Sequence, residues 1–293
     1  MQRELGIYID HMCKDFERFI KNISEAGFGY ICTQDSIDYL NFSKEDRIKR
    51  IFETKEIGEK YGLKFHAHHS CSVLLPSLDI KESANYLKNL IDELKNWDLS
   101  FYVLHARSIK DEPKPWKIIE YIGKDKFDKI SVEVLKDVCD YAYKYNISIA
   151  LENLPYPYVN RVKYILEIIE KVERENLGIC FDSGHSNIST ESVYEELESI
   201  GTKLFTTHFH DNLGNKDKIN IDDENISKYD LHLVPGLGII NWIKINKILD
   251  KIDYRYPVVF EGIKGIEREE DLFEITVKLW RSFEKLSMEV KDD

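Results

Sequence analysis

Ile179-Cys180-Phe181-Asp182-Ser183-Gly184-His185 is a short apolar run that ends on an acid and a histidine. Three other stretches repeat it: Ile149-Ala150-Leu151-Glu152-Asn153, Phe205-Thr206-Thr207-His208-Phe209-His210-Asp211-Asn212 and Val258-Val259-Phe260-Glu261-Gly262. Apolar strands that close on Glu, Asp or His, recurring every ~25 to 50 residues, are what a parallel barrel shows when it gathers polar groups at the carboxyl-terminal rim of its strands.

Outward from these stretches, the pattern covers the chain. Apolar runs at 5–9, 28–32, 63–66 and 101–105 precede the four quoted ones, which extend over 147–152, 177–182, 204–209 and 257–260. Helical spacing separates them, most clearly in Ile80, Ala84, Leu87, Leu90, Ile91 and Leu94. Further helices are expected at 16–25 (closed by Gly27), from Ser43 as cap to about residue 61, at 128–145, 162–172, 191–200 and 241–252, and through Leu272, Ile275, Leu279, Trp280 and Phe283. Strand–helix units in this number, within 293 residues, predict an α/β fold: a single (β/α)8 TIM barrel forming one domain over 1–293. The runs are short and almost wholly apolar, as parallel strands buried on both faces require. A doubly wound sheet is the competitor, but no Gly-x-Gly-x-x-Gly follows the first strand, and no linker composition divides the chain.

Composition narrows the function. A 43% hydrophobic and 12% aromatic content is that of a globular protein with a real core. The net charge of −12 argues against nucleic acid as a partner, because phosphate contacts need clustered Lys and Arg. No leader-like start and no stretch near the roughly 18 apolar residues of a membrane span is visible. Five cysteines, scattered and without a Cys-x-x-Cys pair, fit a reduced cytoplasmic setting and no thiolate zinc site.

The polar residues at the strand ends carry the chemistry. Eight of the nine histidines fall at or just past expected strand ends (His11, His66, His68, His69, His105, His185, His208, His210), and His232 lies in the long segment on the same rim. A lone histidine after a strand is commonly a solvated loop residue, and a lone terminal Glu a salt-bridge partner. So many on one rim, beside Glu152, Asp182, Asp230 and Glu261, point to a divalent metal: Mn, Co, Mg or Zn.

Taken together, Glu152, Asp182-x-x-His185, His208-x-His210-Asp211-Asn212, Asp230-x-His232 before Gly236-x-Gly238-x-Ile240-x-Trp242, and Glu261 resemble the xylose isomerase-like TIM-barrel superfamily over essentially the whole chain. That group includes sugar and sugar-phosphate isomerases and epimerases, and also endonuclease IV. The resemblance implies one metal held by Glu152, Asp182, His208 and Glu261 in the epimerase branch. In the endonuclease IV branch it implies three zinc ions with additional ligands at His66, His105, His185, Asp230 and His232. The sequence departs from endonuclease IV at Asn153-Leu154-Pro155-Tyr156-Pro157, at Ser183-Gly184, and at His208-Phe209-His210-Asp211.

The expected activity is a metal-dependent isomerase or epimerase acting on a small sugar or polyol through an enediolate. Glu152 and Glu261, from well-separated strands, would be the proton-transfer pair. His185, His66, Arg107 and Trp116 are expected to contact substrate. Lys114, Lys117, Arg161, Lys264 and Tyr156 are further rim residues with an alternative as plain surface groups. The alternative activity is multi-zinc phosphoester hydrolysis, on abasic-site DNA or a small diester. Lyase chemistry would use the same enediolate. A homo-oligomer is compatible with the sequence, which fixes no interface.

Overall fold

The computed structural model describes residues 2–11, 13, 15–34, 41–75, 77–108, 117–155, 161–189, 192–217, 219, 224–266 and 269–289. For residues 70–74, 106–108, 117, 118, 224, 269 and 270 it describes the backbone alone. In chain order the elements are β1 (Leu5–Asp10), α1 (Phe16–Ala26), β2 (Tyr30–Gln34), α2 (Lys44–Lys60), β3 (Lys64–Leu75), α3 (Ile80–Leu94), β4 (Phe101–Ser108), α4 (Lys117–Ile122) and α5 (Lys124–Tyr143). They continue with β5 (Ser148–Glu152), α6 (Val162–Val172), β6 (Leu177–Asp182), α7 (Ser183–Ser189), α8 (Val193–Ile200), β7 (Leu204–His208), α9 (Trp242–Lys251), β8 (Val258–Phe260) and α10 (Glu269–Glu289).

The strands form one eight-stranded sheet in the order β7-β6-β5-β4-β3-β2-β1-β8, with every paired neighbour parallel. The sheet closes between β7 and β8. There Phe209 N donates to Val259 O at 2.9 Å, and the Thr207 hydroxyl accepts from Val259 N at 2.9 Å while donating to Val259 O at 3.1 Å. A side chain thus supplies hydrogen bonds where β8, only 3 residues long, gives the ladder little length. Small and medium side chains, among them Cys32, Ala67, Val103, Ala150, Cys180 and Val259, fill the barrel interior. Outside the strands, helix stripes such as Val162, Ile165, Ile169 and Val172 seal the second core layer.

The helix signals behave as their chemistry requires. The Ser43 and Asp79 side chains accept from the backbone N–H groups three residues on, as N-caps do, and Gly27 closes α1 in the left-handed region at φ 102°. No described helix is long and apolar enough to cross a membrane.

β3 differs most from its expected span, while β2 (Tyr30–Gln34) lies two residues later than expected and β4 runs three residues further, to Ser108. β3 was expected to end at residue 66, but it runs to Leu75. Its polar stretch His66 to Ser72 breaks the apolar run, yet β2 and β4 pair with it on both sides and hold it extended. A bulge lies between the pairs Ile31–Phe65 and Cys32–Ala67, adding one residue at His66 and changing which side chains face inward.

Candidate active site

Glu152 ends β5, Asp182 ends β6, His208 ends β7 and Glu261 directly follows β8. All four are buried, and each offers a ligand atom within 4.8 Å of the others'. His208 Nδ1 lies 3.4 Å from Glu152 Oε1 and 3.1 Å from Glu261 Oε2. Behind them, Asn153 clasps the strand end: its Oδ1 accepts from Asp182 N at 2.8 Å and its Nδ2 donates to Asp182 O at 2.9 Å. Asp182 Oδ1 in turn accepts from His185 N at 2.7 Å, and His210 Nε2 lies 3.1 Å from each Asp182 oxygen. The Tyr8 ring stands edge-on to His208 at 4.6 Å and forms a wall beneath.

Two more histidines crowd the first carboxylate. His69 Nε2 and His105 Nε2 lie 3.2 and 3.3 Å from Glu152 Oε2 and 3.0 Å from each other, and His69 Nδ1 is 3.1 Å from Glu261 Oε1. On the other side, His185, His210, Asp230 and His232 form a second group of donors that adjoins the first, His185 Nδ1 lying 3.4 Å from Glu152 Oε1.

The electrostatics follow from this crowding. Burial works to raise the Glu152 carboxyl, but His208, His69 and His105 outweigh it and hold it well below the usual range. Glu261 is likewise held down, against burial, by His208 and His69. Burial lowers His69, and Glu152 and Glu261 reverse that, pushing it up to about 9. Burial lowers His208 and His185 too, and it is outweighed at His208 by Cys180, Glu261 and Glu152 and at His185 by Asp182 and Asp230, so both are raised. The cluster is therefore acid groups held ionised by protonated imidazoles. Replacing those protons with a divalent cation satisfies the same charges.

The donor set fits such an ion. Both Glu152 oxygens and both His208 nitrogens are buried and make no hydrogen bond within the described residues. A buried carboxylate without a donor is expensive unless something cationic completes it. Imidazole and carboxylate without thiolate suit Zn, Mn, Co or Mg.

Several expected residues fall elsewhere. His66, expected as a substrate contact and additional ligand, lies at the opposite, amino-terminal end of the barrel, its ring against Tyr30, Phe101 and Tyr256. The bulge and the longer β3 are the cause: the residue that β3 brings to the site is His69. His11 and His68 also lie outside the cluster. His11 packs on Trp97 at 5.1 Å, and His68 Nδ1 meets Thr33 Oγ1 at 2.9 Å. His105, His185, Asp230 and His232 do lie at the rim, near or within the cluster. Arg107 is in β4 with its side chain outside the described set, and Trp116, Lys114 and Tyr156 lie outside the described residues. His210 was placed on the rim by sequence but given no role; its position two residues past a strand-end histidine was the available signal.

His66 has a measurable consequence. It is 3% exposed, its Nε2 has no hydrogen-bond partner among the described residues, and burial lowers its pKa to about 4. Above pH ~6.5 it is neutral both folded and unfolded and contributes nothing to pH dependence. As pH falls below that, the unfolded chain takes up a proton that the folded chain refuses, so stability is lost down to the folded value. His66→Phe is expected to gain about 2 kcal/mol relative to the parent between pH 7 and pH 5. Paired denaturation curves at the two pH values check this, and a difference that stays constant with pH would contradict it.

Comparison with known proteins agrees with this architecture. A family model described as a xylose isomerase-like TIM barrel matches residues 20–283. An uncharacterized protein of Methanocaldococcus jannaschii is 29% identical over 230 residues, covering 75% of this chain and 70% of its own. A protein named inosose isomerase from Halalkalibacterium halodurans is 26% identical over 256 residues, covering 86% and 82%. Among solved structures, a D-psicose 3-epimerase from Clostridium cellulolyticum, solved with D-tagatose, superposes with TM-score 0.71 at 18% identity over 98% of this chain and 99% of its own. A 3-keto-D-glucoside 4-epimerase from E. coli superposes with TM-score 0.72 at 15% identity over 96% and 100%. The structural likenesses show the shared barrel; the family match spans nearly all of the barrel. The chain belongs to the xylose isomerase-like TIM-barrel family.

Proposed function

We propose that this protein is a divalent-metal-dependent isomerase or epimerase of a small sugar or polyol, working by proton transfer between Glu152 and Glu261. The observation that carries this reading is the convergence of these two ionised carboxylates, from β5 and from the end of β8, on the one imidazole of His208. The relatives named inosose isomerase and D-psicose 3-epimerase support it.

A divalent ion held by Glu152, Asp182, His208 and Glu261 would act as a Lewis acid on adjacent carbonyl and hydroxyl oxygens of the substrate. The protein's own groups do the rest. One carboxylate removes the proton from the carbon beside the carbonyl, leaving an enediolate. The other, carrying a proton taken from His69, returns it to the opposite face, which inverts that carbon, or to the neighbouring carbon, which moves the carbonyl. His69, shared between Glu152 and Glu261, then takes up the proton that the first carboxylate removed and resets the pair. In this reading His185, Arg107 and Trp116 contact the substrate, and the whole chain works as one domain.

The test is deuterium uptake. Metal-stripped protein is reloaded with Mn, Co, Mg or Zn and given a panel of ketoses and inososes in heavy water. Incorporation at the carbon next to the carbonyl, abolished by chelation, is the expected result. No uptake with any metal would contradict the proposal.

A second reading is favoured by one observation. His69 and His105 gather on Glu152 Oε2, adding donors that a single ion does not need. Two ions sharing Glu152 would suit hydrolysis of a small phosphodiester. The charge of −12 counts against nucleic acid as that substrate. Cleavage of a nitrophenyl phosphodiester, in place of deuterium uptake, would select this reading.

A further inference from the structure

We infer that the Glu196 carboxylate is a positioning residue for His185, acting through the Ser186 hydroxyl and tying α7 to the start of α6. The inference deepens the proposed reaction and rests on that reading, in which His185 contacts the substrate.

α7 has only 7 residues and follows directly on Asp182. A helix this short is set by its neighbours more than by its own hydrogen bonds. On the β7 side, the Ser183 hydroxyl donates to His210 O and Asn187 Nδ2 donates to Asn212 Oδ1, each at 2.7 Å. On the other side the contact is made by Ser186, which is buried and donates to Glu196 Oε2 on α8 at 2.8 Å. His185 and Ser186 are consecutive, so they point to different sides of the helix. His185 Nδ1 meets Asn153 O at 2.9 Å in the rim, while Ser186 looks outward to α8. Where Glu196 holds Ser186 therefore decides where the imidazole stands.

The same carboxylate reaches α6. It faces the backbone N–H of Val162, the first residue of that helix, whose cap residue Arg161 supplies no side-chain hydrogen bond. The first N–H groups of a helix lack partners within it, and a carboxylate placed there suits both them and the helix dipole. α6 follows the strand that ends in Glu152, and α7 follows the strand that ends in Asp182. Glu196 thus joins the chain behind two adjacent strands that supply the site.

The charge on Glu196 is adjustable. Burial pushes its carboxyl up to about 7, against Ser186, Arg161 and the Val162 N–H, which favour the ionised form. Of the charged groups on the helices around it, Arg161 faces it from the start of α6. On α9, Lys244 lies over the Tyr194 ring and Lys251 pairs with Glu198, both on other sides of α8. A carboxylate accepts from a hydroxyl more strongly than a carboxylic acid does, so the tie tightens as pH rises.

The test uses the full chain, reloaded with the metal that supports deuterium uptake for kinetics and with Zn2+ for NMR. With a sugar that takes up deuterium, Ser186→Ala and Glu196→Ala are each expected to raise KM about fivefold, with kcat within about twofold of the parent's. The double variant is expected to show the same rise, because both substitutions cut one tie. The KM ratio of Glu196→Gln to the parent is expected to climb from about one at pH 6 to several-fold at pH 8. The ring carbon–proton NMR signals of His185, identified by their loss in His185→Asn, are expected to move alike in both alanine variants. Those of His66, at the opposite end of the barrel, are expected to stay in place. His185 signals unmoved in both variants, KM equal to the parent's in either, or a rise of roughly 25-fold in the double variant would overturn the inference. A KM ratio constant with pH would overturn the part given to the charge. If Glu196→Ala fails to fold, Ser186→Ala carries both the kinetic and the NMR reading. If no sugar is turned over, the proposed reaction fails, and the NMR comparison still decides whether Glu196 places His185.

Discussion

Glu152→Gln is expected to lower turnover by about 10³- to 10⁴-fold while leaving the barrel folded. The substitution keeps shape and removes the ability to take a proton. Glu152 is 1% exposed and faces His69, His105, His185 and His208, so no other carboxylate can swing into its place without displacing an imidazole. Glu261→Gln is expected to cost net conversion a similar factor, with a different remainder. Glu152 still deprotonates one face of the substrate, so deuterium exchange of one isomer continues while product formation stops. Assaying exchange and conversion in parallel separates the two roles. Equal residual conversion and exchange in both variants, near the parent's, would sink the two-carboxylate mechanism.

Asp211→Asn is expected to destabilise the protein by about 4 kcal/mol, roughly a 10 °C fall in Tm. Asp211 is fully buried, and all four of its neighbours donate. Oδ1 accepts from Asn212 N at 2.9 Å and Ile240 N at 3.2 Å; Oδ2 accepts from Gly236 N at 2.9 Å and Trp242 Nε1 at 2.8 Å. An amide offers one acceptor and turns an NH2 group toward two donors, leaving them unsatisfied and opposed. The loss reaches the site, because the same segment carries Asp230 and His232, and its backbone pairs with Asp211 through Leu233 at 2.7 and 2.8 Å. Thermal unfolding monitored by circular dichroism checks the figure, and a fall in Tm of only a degree or two would contradict it.

Much of this organisation is legible in the residues themselves. Strands buried on both faces write themselves as unbroken apolar runs, so β5, β6, β7 and β8 and the residues that end them could be read directly. Glu152, Asp182, His208 and Glu261 stand out because an ionisable group directly after such a run has little structural reason to be there. β3 was harder. Its His66, His68 and His69 interrupt the run, and the bulge at His66 depends on pairing with β2, a partner 34 to 35 residues away by register. No local pattern tells a reader that the inward face shifts there, which is why His66 was expected where His69 stands. His210 needed three dimensions for a similar reason: its contacts to Asp182 and Asp230 come from chain that has left the strand.

The central claim is that the rim binds a divalent ion between Glu152, Asp182, His208 and Glu261. The most direct measurement is anomalous scattering from crystals of the full chain grown with Mn2+. The account predicts a strong peak within coordination distance of all four side chains. Crystals soaked in ample Mn2+ that show density for these side chains and no anomalous peak among them would contradict it.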